Sequence, residues 1–497
     1  MHKEVQESFL QRIIDKKSKC PPWQGDKLDT GVSTGKLKEL RSRLDELFDH
    51  LLSELDPYQR VLKSISFDGS KVRCGGSEAI LKNEGRVIVV GAGKASHQMA
   101  QAVHEIFGER ATGLINVHKG LGTLSPLGNI RFQPAGHPNP DEGSVKGARE
   151  IIRLLEEAES QDIVFSLISG GGSAMMELPV PGVSLGEYIT ANELLNRAGC
   201  EIEEWNAVRK HLSQVKGGQL AKRAEGAAKV FNLMVSDVKG DRLDVIASGP
   251  FVTDPSTFED AYRVLTNIQQ KADVLGTDIP PKVIDYIKNS RGVTERETLK
   301  ESLPNVANLI VASNSTAIEL AAEELAAMGI HIPESQRIHD LSGDIEDATI
   351  DIYARLAEAI KVNPQKPAAV IAGGEATVDV TRYPGFKDGM SYGGRMQMMA
   401  ALMLYLIESL PVVGLFAATD CRDGKPPGGM PESAGALVDG TTLTESRVRE
   451  IDVECYVNAC NTYKMHEKLS TKIHKDRFVT NVMDLAIVVY LPLPCKQ

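Results

Sequence analysis

The chain has 497 residues, a length that predicts two or three domains and not a single core. Its formal net charge of −11, with 42% hydrophobic and 25% charged residues, describes a globular protein and argues against a nucleic-acid or anionic-membrane surface. Seven scattered cysteines contain no CxxC pair, so neither a disulfide framework nor a zinc site is predicted, and a reducing compartment fits best.

Residues 1–35 are predicted to be an extension outside the fold, because one short helical pattern is followed by a loop rich in proline and glycine. The N-terminal stretch lacks the apolar segment of a secretory signal. Its amphipathic start would suit a mitochondrial leader, but Glu4 and Glu7 count against one, so a cytoplasmic location is expected. No run approaches the roughly 18 apolar residues of a membrane span, and no membrane partner is predicted.

The next elements alternate between helix and strand. Leucines spaced three and four apart predict a helix over 37–52. Arg86–Val90 and Gly113–Val117 have the composition of strands, and the residues between them, 97–107, have a helical pattern. Two strands joined by a helix form a βαβ unit, which predicts a parallel sheet with a right-handed crossover.

The most informative stretch is the following strand and its loop. Ile163–Ile168 is apolar except for Ser166, which predicts a strand buried on both faces. The loop after it consists of Ser169, Gly170, Gly171, Gly172 and Ser173. Three consecutive glycines can offer backbone N–H groups to a phosphate without side chains in the way. A tight turn into a helix is the alternative, so the phosphate role requires charges from other segments.

Lys94 lies on a glycine turn, Gly91–Ser96, that follows the first of these strands. The turn fails the Walker A pattern at two positions. A dinucleotide fingerprint would need glycine or alanine at Ser96 and an acidic residue after the second strand, so a nicotinamide cofactor is disfavoured. Lys94 is a well-placed cation for a phosphate or carboxylate, with a solvated lysine as the alternative.

Carboxylates follow a further predicted strand, Val230–Val235, at Asp237 and Asp241. In open α/β sheets, ligands bind at the carboxyl ends of the strands, so these side chains are candidates for a shared site. Carboxylates near phosphate hold magnesium or accept a hydroxyl proton. Asp244 and Asp423 are better explained as helix caps or turn formers.

A second α/β pattern starts at Leu309. Its predicted strands over 368–372 and 412–417 lead to Glu375, which follows two glycines, and to Asp420. Arg395 also follows two glycines and opens a helix rich in methionine. Glycine at such positions lets a ligand approach the backbone closely, so these residues are further site candidates.

The motifs GAGKAS, GHPNPDE, SGGGSAMM, VRKHLSQVKGGQLA, SDVKGDRLDVIASGP, GGE, GGR and TDCRDG occur in this order. Together they resemble the class II glycerate kinases, the glycerate 2-kinases that carry a C-terminal MOFRL domain. The resemblance runs from about Leu40 to about Pro492. It implies an α/β fold with a Rossmann-like N-terminal domain over 36–300 and a C-terminal α/β domain over 301–497. The MOFRL region would cover about 368–490, and the active site would lie between the domains.

The resemblance also implies phosphorylation of D-glycerate to 2-phosphoglycerate with ATP and Mg²⁺. Lys94, Asp237 and Arg395 match the lysine, aspartate and arginine of family motifs and are the expected catalytic residues. Asp237 is either the base or a metal ligand. The other expected contacts are His137 and Asn314 for the substrate, and Asp241, Glu375 and Asp420 for magnesium.

Two departures from the family pattern leave alternatives open. Met396 replaces a polar residue and Cys421 replaces a glycine, so a binding protein with weakened catalysis is one alternative. A hydroxypyruvate reductase that uses a nicotinamide cofactor is the other, and the failed fingerprint argues against it. The predicted partner is the small substrate, with a homodimer as a candidate assembly and no nucleic acid.

Overall fold

The computed structural model describes residues 8–28, 33–270, 276, 278–475 and 480–493. The helices are α1 (Phe9–Ser18), α2 (Ser33–Glu54), α3 (Pro57–Ser64), α4 (Ser96–Phe107), α5 (Glu142–Glu156), α6 (Gly172–Met175), α7 (Leu185–Arg197), α8 (Ile202–His211), α9 (Gln219–Arg223), α10 (Phe258–Gln269), α11 (Pro281–Ser290), α12 (Asn314–Ala327), α13 (Ile345–Val362), α14 (Arg395–Ile407), α15 (Thr442–Val448), α16 (Val453–Asn458) and α17 (Thr462–Leu469). None of the described helices is long and apolar enough to cross a membrane.

The strands are β1 (Ile65–Phe67), β2 (Lys71–Cys74), β3 (Ser77–Ile80), β4 (Val87–Ala92), β5 (Ala111–His118), β6 (Asn129–Ala135), β7 (Ile163–Ile168), β8 (Lys229–Val235), β9 (Val306–Ala312), β10 (Arg337–Leu341), β11 (Ala368–Gly374), β12 (Val412–Ala418), β13 (Gly435–Asp439), β14 (Lys472–Ile473) and β15 (Asp484–Tyr490). They form one three-stranded and two six-stranded sheets.

The chain forms two compact units. Asp56–Ala312 make up one, which we call the parallel-sheet unit, and Met1–Leu55 with Ser313–Gln497 make up the other, the mixed-sheet unit. This division differs from the predicted domains over 36–300 and 301–497. The first unit extends to Ala312 because β9 pairs with β8 in the first large sheet. Helix α2 belongs to the second unit because it packs on the sheet that contains β12 and β13.

The large sheet of the parallel-sheet unit has the strand order β6-β5-β4-β7-β8-β9, and all of its neighbouring strands are parallel. Counted from β4, this is the doubly wound order 3-2-1-4-5-6, which confirms the predicted Rossmann-like fold. Every residue of β4 and β7 is buried, as expected for central strands covered on both faces. The strand order reverses between β4 and β7, so the loops after these two strands flank the switch point where such sheets bind ligands.

The mixed-sheet unit has the strand order β10-β11-β15-β12-β13-β14. β15, the last strand of the chain, lies between β11 and β12 and is antiparallel to both. Alternate residues of these buried strands contribute to two separate apolar cores, one with α13 and α14 and one with α2 and α12. The unit is therefore an α/β sandwich with helices on both faces of the sheet.

Helix α1 belongs to the mixed-sheet unit, which corrects the prediction that residues 1–35 lie outside the fold. Phe9 and Ile13 are buried in its core. The guanidinium of Arg12 donates to the fully buried carboxylate of Glu346 over 2.6 Å. The helix covers apolar surface with one face and neutralises a buried charge with the same face, which a helical pattern alone did not reveal.

We expect Ile13→Ala to lower the free energy of unfolding of the mixed-sheet unit by about 2–5 kcal/mol, because it removes buried methyl groups from a packed core. Ile14 is the matched control, since it is adjacent and 50% exposed, and Ile14→Ala should change stability by no more than about 0.5 kcal/mol. Urea denaturation of the full chain measures both values. Equal, small effects would show that α1 does not contribute to the core.

A buried histidine supports the first turn of α14. His466 of α17 donates from Nε2 to the carbonyl of Gln397 over 2.8 Å, and its Nδ1 lies 2.8 Å from the hydroxyl of Thr471. Burial lowers the pKa of His466 to about 4, because the charged imidazolium would lose its hydration. The neutral ring is therefore part of the folded structure that carries Arg395.

This burial predicts an acid-dependent loss of stability. The unfolded chain protonates His466 near pH 6.5 and the folded chain only near pH 4, so its contribution is complete above about pH 6.5 and is lost as pH falls toward 4. Two and a half pKa units correspond to at most about 3 kcal/mol. We expect His466→Gln to flatten the stability profile over this range when denaturation midpoints are compared with wild type. If the stability of His466→Gln falls with pH as steeply as that of wild type, groups other than His466 cause the acid sensitivity.

Candidate functional site

The loops after β4 and β7 are joined to each other at the switch point. The backbone N–H of Lys94 donates to the carbonyl of Gly170 over 3.0 Å. Ser169 is buried, and its hydroxyl oxygen accepts the N–H of Ala95 at 3.0 Å and lies 3.2 Å from the hydroxyl of Ser96. Ser169, predicted to contact phosphate, therefore uses its side chain to hold the Lys94 turn in place.

The glycines of the loop allow two predicted site residues to approach its backbone. A β-carbon on Gly170 would lie 2.2 Å from Oδ2 of Asp237. A β-carbon on Gly171 would lie 2.9 Å from the ring of His137, and Gly171 also has a φ of 84°, which disfavours other residues. The structure thus brings Asp237 and His137 to the three-glycine loop.

His137 is half-buried beside the loop. Burial lowers its pKa, and the positive charge of Lys94 lowers it further. The imidazole is therefore neutral at pH 7 and can donate or accept a hydrogen bond. The effect of Lys94 on this pKa also places the two predicted residues in the same environment.

Asp241 has two features that suit the predicted metal ligand. It has a φ of 51°, which is strained for a residue with a β-carbon. Its Oδ1 is buried and has no hydrogen-bond partner in the part of the chain that the structure describes. No group of three His, Cys, Asp or Glu ligand atoms within 4.8 Å of one another includes Asp237 or Asp241 among the described residues. Magnesium commonly takes one or two carboxylates together with substrate phosphates, so this arrangement fits it.

Arg209 is a residue beside the glycine loop that sequence reasoning missed. From α8, its Nη2 donates to the hydroxyls of Ser173 at 3.3 Å and Ser248 at 2.7 Å, and to Oδ1 of Asn206 at 2.9 Å. Ser248 has a φ of 60°, so these contacts hold a strained turn beside the glycine loop. The unusually basic composition of 208–218 was the available signal, but it named no individual residue.

A buried ion pair supports the other side of the loop. Lys216 and Glu177 are both buried and hydrogen-bonded to each other. The ammonium of Lys216 also donates to the carbonyl of Ser173 over 2.7 Å. The basic segment therefore anchors α6, the short helix that begins within the glycine loop.

In the mixed-sheet unit, Arg395 is held by two carboxylates. Its Nη2 donates to Oε1 of Glu375 over 2.7 Å, and its Nε donates to the carboxylate of Asp484. Burial raises the pKa of Asp484 to about 8, although Arg395 opposes the shift. Glu375, predicted as a metal ligand, is paired with an arginine here. Asp484, the first residue of β15, was not among the predicted site residues.

Asp423 caps α14, in agreement with the prediction that it is a cap. Its two carboxylate oxygens accept the backbone N–H groups of Met396 at 3.0 Å and Gln397 at 2.7 Å. Asp420, predicted as a metal ligand, accepts the N–H of Arg422 at 3.0 Å within its own turn. Carboxylates at these two positions therefore shape the loop and the helix beside Arg395.

Met396 and Cys421, the departures from the family motifs, are both buried. Met396 packs in the core around α14, and Cys421 packs in the core on the opposite face of the sheet. Their side chains therefore contribute to packing. This removes the reason for expecting weakened catalysis from these two positions.

Asn314, predicted to contact the substrate, is buried at the start of α12. Its amide nitrogen donates to the backbone oxygens of Val482 at 2.8 Å and Asp484 at 3.0 Å. These two hydrogen bonds hold the start of β15 in place, and with it Asp484, whose carboxylate binds Arg395. A cavity of about 580 Å³ lies beside Arg395 and Asp484 in this unit.

Comparisons with known proteins agree with this picture. The models of a domain of unknown function (DUF4147) and of the MOFRL family match residues 43–288 and 368–484. The chain is 38% identical to a glycerate 2-kinase of Pyrococcus horikoshii, over 89% of this chain and 96% of the relative. It is 31% identical to a putative hydroxypyruvate reductase of Agrobacterium vitis, over 87% and 94% of the two chains.

Among solved structures, a glycerate kinase of Thermotoga maritima superimposes with a TM-score of 0.76 and 32% identity, over 91% of this chain and all of that one. Together with the near full-length match to the Pyrococcus enzyme, this likeness shows that the chain belongs to the glycerate kinase family.

Proposed function

We propose that this protein transfers the γ-phosphoryl group of ATP to D-glycerate and releases 2-phosphoglycerate and ADP. The observation that carries the proposal is the convergence of Lys94, His137 and Asp237 on the three-glycine loop at the switch point of a doubly wound sheet. Phosphoryl transfer needs positioned groups and neutralised charge more than covalent help from the protein. A glycine loop, a cation and a carboxylate provide these elements.

The residues take separate roles in this reaction. Gly170 and Gly171 present backbone to the ATP phosphates, and Lys94 offsets negative charge on the transferred group. Asp237 accepts the proton of the glycerate hydroxyl as its oxygen attacks the γ-phosphorus and the bond to ADP breaks. Arg395 retains its expected catalytic role as a hypothesis based on the family motif.

Magnesium would be held by Asp241, whose buried Oδ1 is without a partner among the described residues, with further ligands from phosphate and water. The ion would offset charge on the phosphate oxygens. Glu375 and Asp420 are less suited to this role, because they bind Arg395 and a backbone N–H group. A homodimer and a cytoplasmic location stay predictions.

The alternative activity is nicotinamide-dependent reduction of hydroxypyruvate, because some relatives carry the name putative hydroxypyruvate reductase. Ser96 occupies the position where a dinucleotide fingerprint has glycine or alanine, and its hydroxyl contacts Ser169. An assay of ADP release with D-glycerate tests the proposal directly, and NMR of the product identifies the phosphorylated hydroxyl. Loss of NADPH absorbance with hydroxypyruvate, without ADP release from glycerate, would favour the reductase.

We expect Asp237→Asn to lower kcat by about 10²–10⁴-fold, the usual share of a general base. The magnesium concentration for half-maximal rate should stay the same, because Asp241 is assigned to the ion. Asp285→Asn, which removes an exposed carboxylate of α11, is the matched control and should retain full activity. Partial recovery of the Asn variant at high magnesium would instead make Asp237 a metal ligand.

We expect Gly170→Ala to lower kcat strongly, by about tenfold or more, because its β-carbon would occupy the space of Asp237 Oδ2 and shift a proposed general base out of position. Gly186→Ala is the control, since its β-carbon would meet no atom within 4 Å. Steady-state rates and thermal unfolding of both variants separate catalysis from folding. Normal kcat in Gly170→Ala would show that the contact with Asp237 is dispensable.

A further inference from the structure

A small cavity of about 190 Å³ adjoins the glycine loop in the parallel-sheet unit. The residues that line it include His137, Gly171, Ser173, Tyr188, Trp205 and Arg209. At about 30 Å³ per molecule, it has room for roughly six waters. A three-carbon hydroxy acid fits such a volume, whereas a nucleoside triphosphate does not.

Arg209 is the one side chain with a permanent charge among the described residues that line this cavity, since the lowered pKa of His137 leaves that ring neutral. Behind the cavity, Glu177 and Lys216 neutralise each other. The lining itself therefore carries one positive charge and no carboxylate. A cavity of this size and charge suits a small monoanion.

The guanidinium of Arg209 is oriented but not saturated. Its Nη2 is held by three oxygens of neighbouring side chains, and it lies over the ring of Trp205 at 5.4 Å. Its Nε is buried and has no hydrogen-bond partner within the described chain. The contacts of Nη2 therefore leave at least one N–H group of this guanidinium without an acceptor among the described residues.

We infer that this cavity binds the carboxylate of the phosphoryl acceptor, with Arg209 as the residue that recognises it. The inference rests on the proposed glycerate kinase function and adds to it the residue that selects a hydroxy acid. A guanidinium held in one orientation presents its charge and its remaining donors to a carboxylate in a fixed plane, which a lysine does not match. Binding there places the acceptor beside His137 and Gly171, next to the loop that also contacts Asp237.

The test is a separation of kinetic constants in the full chain. In Arg209→Gln, KM for D-glycerate should rise about tenfold to hundredfold, as expected for loss of hydrogen bonds to a charged group. KM for ATP should stay within about twofold. Arg209→Lys keeps the positive charge and disturbs the fold less, so KM for D-glycerate should rise less than in Arg209→Gln. Arg153→Gln, at an exposed position of α5, is the control for loss of one positive charge and should match wild type.

The wild-type protein is assayed first, because this result tests the proposed function separately from the role of Arg209. If wild type releases no ADP with D-glycerate, the proposed glycerate kinase function is wrong. If wild type is active, calorimetric titration of D-glycerate without ATP should detect binding to wild type and at least tenfold weaker binding to Arg209→Gln. Equal rises in both KM values would mean that Arg209 serves the loop or the ATP phosphates. An unchanged KM for D-glycerate in both variants would overturn the inference.

Discussion

The candidate site depends on the close approach of two loops at the point where the strand order reverses. Parallel strands bring the ends of β4 and β7 to the same edge, but only residues without side chains let the two backbones meet there. A β-carbon on Gly93 would lie 2.1 Å from the hydroxyl of Ser169. Because Ser169 in turn accepts from Ala95, the position of Lys94 is fixed by the loop that follows β7. The lysine and the glycine loop therefore form one structural element.

A second set of contacts holds this element from the side. Arg209 and Lys210 at the end of α8 and Lys216 after it are three cations in buried or partly buried positions. Arg209 donates to two serine hydroxyls, Lys210 pairs with two aspartates and Lys216 pairs with Glu177. Burying charges is costly unless each is paired, so these contacts form only in one arrangement. The strain in the turn at Ser248 is stabilised by the same contacts. Precision at the loop thus comes from polar contacts as well as from apolar packing.

The sequence predicted the parts of the fold that have strong local patterns. β7 was predicted with its correct ends, and the parallel sheet followed from strands and helices that alternate at short range, whereas the Rossmann-like fold was implied by the family resemblance. The three-stranded sheet of β1–β3 was not predicted, because its strands are only three or four residues long. The central place of β15 was not predicted, because pairing between distant strands leaves no periodic signal. The burial of α1 was missed for the same reason. A helical pattern shows which face is apolar but not which surface covers it.

For the site, motifs identified the residues at the strand ends but not how each is used. Ser169 and Asn314 carry polar groups suited to ligands, yet both are buried in contacts that brace the backbone. Arg209 and Asp484 lie in a helix and a strand, where nothing in the local pattern separates a functional residue from a structural one. Their importance arises from neighbours that are remote in the chain, and only the three-dimensional structure contains that information.

The central position of β15 has a consequence for the order of folding during synthesis. The parallel-sheet unit is one continuous segment and can complete its sheet once β9 has been made. The mixed-sheet unit needs segments that are far apart in the chain: α1 and α2 precede the parallel-sheet unit, and β15 follows all the other strands of its own sheet. Until β15 has been made, β11 and β12 lack the strand that pairs with both. Unpaired strands of this kind expose apolar edges. The second unit therefore reaches its native state only after β15 has been synthesised, and a chain that stops before β15 would retain open strand edges.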